Sequence, residues 1–290
     1  MKNAINNKFT HIPLMIMAMM TAGSATQAQA QTTEQGKYAN VNGIKMYYEV
    51  HGTGKPLVLI HGGGSTLSTS FGLIIPILSK THQIIAVELQ AHGHTSDRDA
   101  PETFIQDADD VAELLRQLNI TKTDVLGFSN GGQTTLEIAL RHPKLVDRLI
   151  IASAFYSRDA VPVGFWEGFK NPKYSDMPQI YKDEYLKIGT QAGLTNMFNK
   201  DVQRMSVFKG WTKEQIASIQ APALVVIGDH DLTPPEHAAE MSRLLPHGQL
   251  AILPGAHGEY FGEAFFPNAS SRKVESFSLI VEDFLASPIN

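Results

Sequence analysis

The sequence predicts an α/β fold in which a mostly parallel sheet is flanked by helices. Three observations carry that prediction. Short, near-continuous apolar runs alternate along the chain with longer stretches of helical spacing, the pattern of strands buried on both faces and joined by crossover helices. Two of the later runs end in loops bearing Asp and His, where open parallel sheets collect their ligand sites. The pentapeptide Gly127-Phe128-Ser129-Asn130-Gly131 sits where an apolar run stops and a helical stretch begins.

Residues 44–50 read as an early antiparallel strand. Segments 57–60, 84–89, 123–128, 149–153, 224–228 and 250–253 follow as parallel strands. Helical patterns cover 103–118, 130–142, 235–245 and 272–285. Thr123-Asp124-Val125-Leu126 leads into the pentapeptide, and Leu136, Ile138, Ala139 and Leu140 follow it at roughly helical spacing. Residues 155–220 hold no strand-like run, although one helix would suffice there. Pro162, Pro172 and Pro178, with Gly164, Gly168, Gly189, Gly193 and Gly210, divide this segment into short helices.

A serine on a sharp strand-to-helix turn has its hydroxyl lifted out of the sheet, and flanking glycines tolerate the tight backbone. The turn also puts the Asn130 amide at a helix N-terminus, facing any negative charge that develops. A hydrolytic serine needs a base and an acid that orients the base. With this elbow the chain order is Ser, then Asp or Glu, then His. Downstream, one apolar run ends in Gly228-Asp229-His230-Asp231, and the next is followed by Pro254-Gly255-Ala256-His257. The order fits.

With these residues the sequence resembles the α/β-hydrolase superfamily from about Tyr38 to Leu285. The resemblance implies an eight-stranded-type sheet, a core formed by 31–154 and 221–290, and a helical cap at 155–220. By the same resemblance Ser129 matches the nucleophile, His257 the general base and Asp231 the orienting acid. His61-Gly62-Gly63-Gly64 matches the oxyanion loop, with the Gly63 amide as donor partner to Asn130. Glu88-Leu89-Gln90-Ala91-His92-Gly93-His94-Thr95 resembles a turn that many capped members carry. Glu88, Ala91 and Thr95 depart from its usual pattern, which leaves the subfamily open.

Several of these positions have a plainer reading. Asp229 is the alternative acid, and its other role is to cap the turn or the helix starting near Pro234 or Pro235. His61 reads as a structural histidine that ties down the oxyanion loop. His92 and His94 with Asp97 look like a metal cluster but lack a third well-placed ligand, so a satisfied turn is the better reading. The cap is rich in aromatics, which dominate apolar pocket walls. Trp166 and Trp211 are the cap residues assigned to the pocket, against the alternative that they only pack the cap on the sheet.

The implied activity is hydrolysis of an ester-type bond by an acyl-enzyme route, as a carboxylesterase or lactonase on a small, predominantly apolar molecule. No cofactor or metal is required. The serine separates the chain from haloalkane-dehalogenase and epoxide-hydrolase branches that use aspartate at this position. The elbow lacks the Gly-Gly-Ser-Trp-Gly filling of proline iminopeptidases, which disfavours aminopeptidase action. Carbon–carbon bond hydrolysis, cofactor-free perhydrolysis and a non-catalytic binding role stay open.

The first thirty residues read as a signal peptide. Lys2 and Lys8 precede an apolar, Met-rich stretch, and Ala28-Gln29-Ala30 is an A-x-A cleavage signature. The apolar stretch falls short of the ~20 residues that a membrane span needs. Export to the periplasm or the medium is therefore expected, with no stable membrane anchor. The chain has no cysteine, which excludes disulfides, thiolate metal sites and a thiol nucleophile. A formal net charge of −5 without a basic run offers no footprint for nucleic acid. Oligomeric state is not legible.

Overall fold

The computed structural model describes residues 36–288. The leader expected over 1–30 lies outside the described residues. Among those described, no helix is long and apolar enough to cross a membrane.

Eight strands are described: β1 (Lys37–Val41), β2 (Ile44–His51), β3 (Lys55–Ile60), β4 (His82–Val87), β5 (Thr123–Phe128), β6 (Val146–Ala152), β7 (Ala223–Gly228) and β8 (Gly248–Leu253). They form one sheet in the order β1-β2-β4-β3-β5-β6-β7-β8. The β1/β2 and β2/β4 pairs are antiparallel, and every later pair is parallel.

The helices outside the β6–β7 connection are α1 (Leu67–Phe71), α2 (Ile75–Leu78), α3 (Phe104–Gln117), α4 (Asn130–Arg141), α9 (Pro235–Leu244) and α10 (Ser271–Ala286). Side chains alternate across a strand, so each central strand feeds two cores. Val58 and Ile60 of β3 point into a core with Val111 and Leu114 of α3, Leu136 of α4 and Met241 of α9. Leu57 and Leu59 of the same strand point to the other face, with Phe71, Phe277 and Val281. Burial on both faces explains the unbroken apolar runs of β3, β5 and β7.

Strand β1 is absent from the sequence-based reading because its residues, Lys-Tyr-Ala-Asn-Val, alternate and lie largely exposed at the sheet edge. The signal that finds it is Asn42-Gly43. Both residues have positive φ, 42° and 89°, and they close a two-residue hairpin in which Val41 faces Ile44. Helices α1 and α2 also escape a periodicity reading, being only 5 and 4 residues long.

Between β6 and β7 the chain runs through α5 (Val163–Lys170), α6 (Gln179–Leu186), α7 (Gln191–Ser206) and α8 (Lys213–Ala217). Gly193 does not break α7. It sits in the first turn, where its amide donates to the Thr190 N-cap hydroxyl at 3.1 Å.

Candidate active site

Ser129 joins β5 to α4 with φ 53° and ψ −121°, a conformation an L-residue holds only when its surroundings enforce it. The enforcement comes from the two glycines of the pentapeptide. A methyl on Gly127 would lie 2.1 Å from the Gly131 carbonyl oxygen, and one on Gly131 would lie 2.1 Å from that of Ile60. Only bare backbone lets the turn pack this tightly against β3.

The later sheet loops bring the acid and the histidine to this serine. His257 Nε2 is 3.0 Å from Ser129 Oγ, and His257 Nδ1 is 2.7 Å from Asp231 Oδ1. The Asp231 carboxylate is fully buried, whereas the imidazole is about a third exposed. Burial works to raise the Asp231 carboxyl, but the His257 hydrogen bond and charge, then Ser153 and the Gly228 amide, bring it below the ordinary aspartate value. The carboxylate thus stays ionised beside the imidazole. Asp229 is exposed and caps neither its own turn nor the helix at Pro235: its Oδ1 accepts the Gly255 amide at 2.8 Å, bracing the neighbouring turn before His257.

Two neighbours of Asp231 escape a sequence reading. Ser153 Oγ donates to Asp231 Oδ2 at 2.6 Å and lies 2.8 Å from the Tyr260 hydroxyl. Ser153 is a positive-φ residue (50°) just past β6. A lone serine at a strand end carries no signal for that role.

The residues expected to form an oxyanion loop meet the elbow directly. A methyl on Gly63 would fall 2.3 Å from Asn130 Nδ2, and one on Gly62 would fall 3.3 Å from Ser129 Cβ. Among the described residues, neither the Gly63 nor the Asn130 amide has a backbone acceptor, and Asn130 opens α4, where no intrahelical acceptor exists. His61 holds this loop as a neutral ring. Its Nδ1 is 2.8 Å from the Gly62 carbonyl and its Nε2 accepts the Leu89 amide at 3.0 Å. Burial pushes the imidazole down to about 3.

His92, His94 and Asp97 turn to separate partners: His92 to Asp201, His94 to Glu88, and Asp97 to Asn196 and Lys200.

A cavity of about 550 Å³ opens above Ser129, His257, Gly63, Gly64 and Asn130. Its walls are Phe155, Phe165, Phe169, Met177, Tyr181, Phe198, Val202, Met205 and Leu232, and the charged residues in its lining are Lys173, Asp176 and Asp201. The placement of Trp166 and Trp211 in this wall is corrected, because both indoles turn into packing. Trp166 Nε1 donates to the Arg158 carbonyl at 2.8 Å, and Trp211 Nε1 donates to Glu137 at 2.6 Å. Trp166 is buried with Phe155, Met205 and Phe208, so phenylalanines and methionines face the cavity in their place.

Residues 55–209 match the family model described as the alpha/beta hydrolase fold. The chain belongs to the α/β-hydrolase family. This α/β hydrolase is 28% identical to the human serine hydrolase BPHL over 84% of each chain. It is 28% identical to the 2-hydroxymuconate semialdehyde hydrolase of a Pseudomonas strain, over 61% of this chain and 68% of that one. Its fold is similar to that of the enol-lactonase from Burkholderia xenovorans, with a TM-score of 0.69, 21% identity, and coverage of 87% of this chain and all of that one.

Proposed function

We propose that this α/β hydrolase is a serine esterase or lactonase that cleaves small, predominantly apolar substrates through an acyl-enzyme. The observation that carries the reading is the relay from Ser129 to His257 to Asp231, at 3.0 and 2.7 Å, on the floor of an apolar cavity. In this reading His257 Nε2 takes the Ser129 proton as Oγ attacks the substrate carbonyl carbon. The Gly63 and Asn130 amides receive the oxyanion, where a single donor is worth about 2.7–4 kcal/mol. The C–O bond to the leaving group then breaks, and the proton on His257 passes to the departing alcohol. Water, deprotonated by His257, attacks the acyl carbon and frees Ser129. Asp231 holds the imidazole tautomer and balances its cation.

The test is active-site labelling with a fluorophosphonate, paired with a panel of p-nitrophenyl esters and lactones. Labelling and turnover that vanish together in Ser129→Ala support the reading. A folded wild type that neither labels nor turns over any ester or lactone sinks it.

Carbon–carbon bond hydrolysis is the second reading, favoured by the likeness to the semialdehyde hydrolase. Including 2-hydroxymuconate semialdehyde in the panel separates the two. We also propose export through the leader at 1–30, and an N-terminal sequence starting at Gln31 in the secreted or periplasmic fraction would support it.

A further inference from the structure

Cap helix α7 brings one carboxylate into the cavity wall beside the oxyanion loop. Asp201 Oδ2 accepts the Gly64 amide at 2.5 Å and lies 3.1 Å from His92 Nε2. Its Oδ1 pairs with Arg204, whose other nitrogen donates to Asp107 at 2.8 Å and lies 3.6 Å from Glu102. His92, Glu102 and Asp107 belong to the core, while Asp201 and Arg204 belong to the cap. The cluster is buried: His92 and Arg204 are at most 3% exposed, and so are Glu102 and Asp107.

A carboxylate here needs a reason. Negative charge next to an oxyanion hole opposes the charge that develops in the transition state, and burying it is costly unless it is paired. The two cations behind Asp201 offset both penalties. What the carboxylate adds is a fixed acceptor for a run of three glycines, Gly62 to Gly64. The Gly62 carbonyl is held from the core side, by the Ser65 hydroxyl at 2.7 Å and His61 Nδ1 at 2.8 Å. That contact orients the peptide carrying the Gly63 N–H. The next peptide, carrying the Gly64 N–H, faces Asp201 Oδ2 at 2.5 Å and, from the core, His92 Nε2 at 3.3 Å; a protonated His92 has no lone pair there, which leaves Asp201 as the acceptor. Gly64 has φ 67°, which glycine adopts freely, so a polar contact rather than a side chain has to fix this half of the loop.

We propose that Asp201 is a positioning residue that fixes the Gly64 half of the oxyanion loop from the cap, so that the Gly63 amide, oriented on one side by Ser65 and His61, is held on its other side while α7 is seated. The proposal rests on the esterase reading above. The cap then does more than enclose the substrate, because one of its helices completes the geometry of the hole. Misplacing a catalytic donor by about 1 Å can cost on the order of 100-fold in rate.

The test compares Asp201→Glu with Asp201→Asn, using p-nitrophenyl acetate, a trifluoromethyl ketone that forms an oxyanion on Ser129, and a melting curve. Glutamate keeps the charge opposite Arg204 and His92 but displaces the acceptor. Asparagine keeps the acceptor in place but removes the charge. Positioning requires that Asp201→Glu melt like the wild type, lose roughly 10- to 100-fold in kcat at little-changed KM, and lose ketone affinity by a similar factor. Asp201→Asn should melt lower yet lose less kcat. A merely structural latch gives the reverse order, with kcat following melting temperature. The proposal is overturned by that order, or by an Asp201→Glu enzyme within about twofold of wild type in kcat and ketone affinity. Should Asp201→Asn not fold, Asp201→Glu alone decides. Fluorophosphonate labelling of the wild type separates the two failures: without it the esterase reading has failed, and with it only the role of Asp201 is in question.

Discussion

The Tyr181 hydroxyl on α6 donates to Glu263 Oε1 at 2.8 Å, tying the cap to the segment that follows His257. Glu263 is 1% exposed, and its other oxygen accepts the Phe265 amide at 2.8 Å. Burial pushes its carboxyl up, while the Phe265 amide and the Tyr181 hydroxyl pull the other way. The segment between β6 and β7 thus meets both loops of the candidate site, through Asp201 on one side and Tyr181 on the other.

Removing that hydroxyl leaves a buried carboxyl short of a donor, which costs about 1–3 kcal/mol. Tyr181→Phe should lower stability to urea by that amount. Glu263→Gln should cost less, since an amide oxygen still accepts from Tyr181. Equal stability of wild type and Tyr181→Phe would show that the contact contributes nothing in solution.

Ser129→Ala should abolish ester turnover and fluorophosphonate labelling with an unchanged circular dichroism spectrum, because the hydroxyl lies at the cavity floor and not in packed core. His257→Ala should be comparably damaging, and the double variant no worse than either single one. Additive losses would argue against one shared mechanism.

Asp231→Asn should be far more harmful than Asp229→Asn. An amide opposite His257 Nδ1 favours the wrong tautomer, a change that cost about 10⁴ in kcat in a serine protease triad. Asp229→Asn removes only a brace to the Gly255 amide, an ordinary hydrogen bond of about 0.5–1.5 kcal/mol. Steady-state kinetics of the pair would reassign the acid if Asp229→Asn proved worse.

The cap cluster should make stability fall with rising pH. Burial alone would lower the His92 imidazole, but the charge and hydrogen bond of Asp201, with Glu102 beyond, push it up to about 9 against the opposing Arg204. Burial likewise raises Glu102. A group whose folded pKa is raised stabilises fully below its unfolded value and loses that contribution as pH climbs through the folded one. For His92 the loss falls between about 6.5 and about 9. Linkage puts its size on the order of 3 kcal/mol. Glu102 titrates in the same sense. Urea denaturation across this window should show the decline, with a flatter profile in His92→Gln. A flat wild-type profile would contradict a charged His92.

Cavity-wall and packing aromatics should separate by substrate length. Phe169→Ala should penalise long acyl esters relative to acetate, at about 0.8 kcal/mol per methylene that loses contact. Trp166→Ala should instead lower stability by about 3–5 kcal/mol and leave chain-length preference unchanged. A chain-length effect from Trp166→Ala alone would reverse this assignment.

The layered fold and the order of the candidate triad are legible in the residues alone. Buried strands leave unbroken apolar runs, and the Gly127–Gly131 pentapeptide marks a turn that few other residues could make. Asn42-Gly43 also held the first hairpin in view, although the polar residues of β1 hid it from a search for apolar runs. The choice between Asp229 and Asp231 for contact with His257 needed the folded chain, since two acids two residues apart on one loop look alike until the His257 imidazole is placed. The folded chain also decided which cap aromatics face the cavity. Helical spacing says which residues share a face, but not whether that face meets a cavity or the core, so Phe169 and Trp166 could not be told apart. The link from Asp201 to Gly64 spans 137 residues. No local pattern encodes such a contact, because it exists only once the cap has folded back over the sheet.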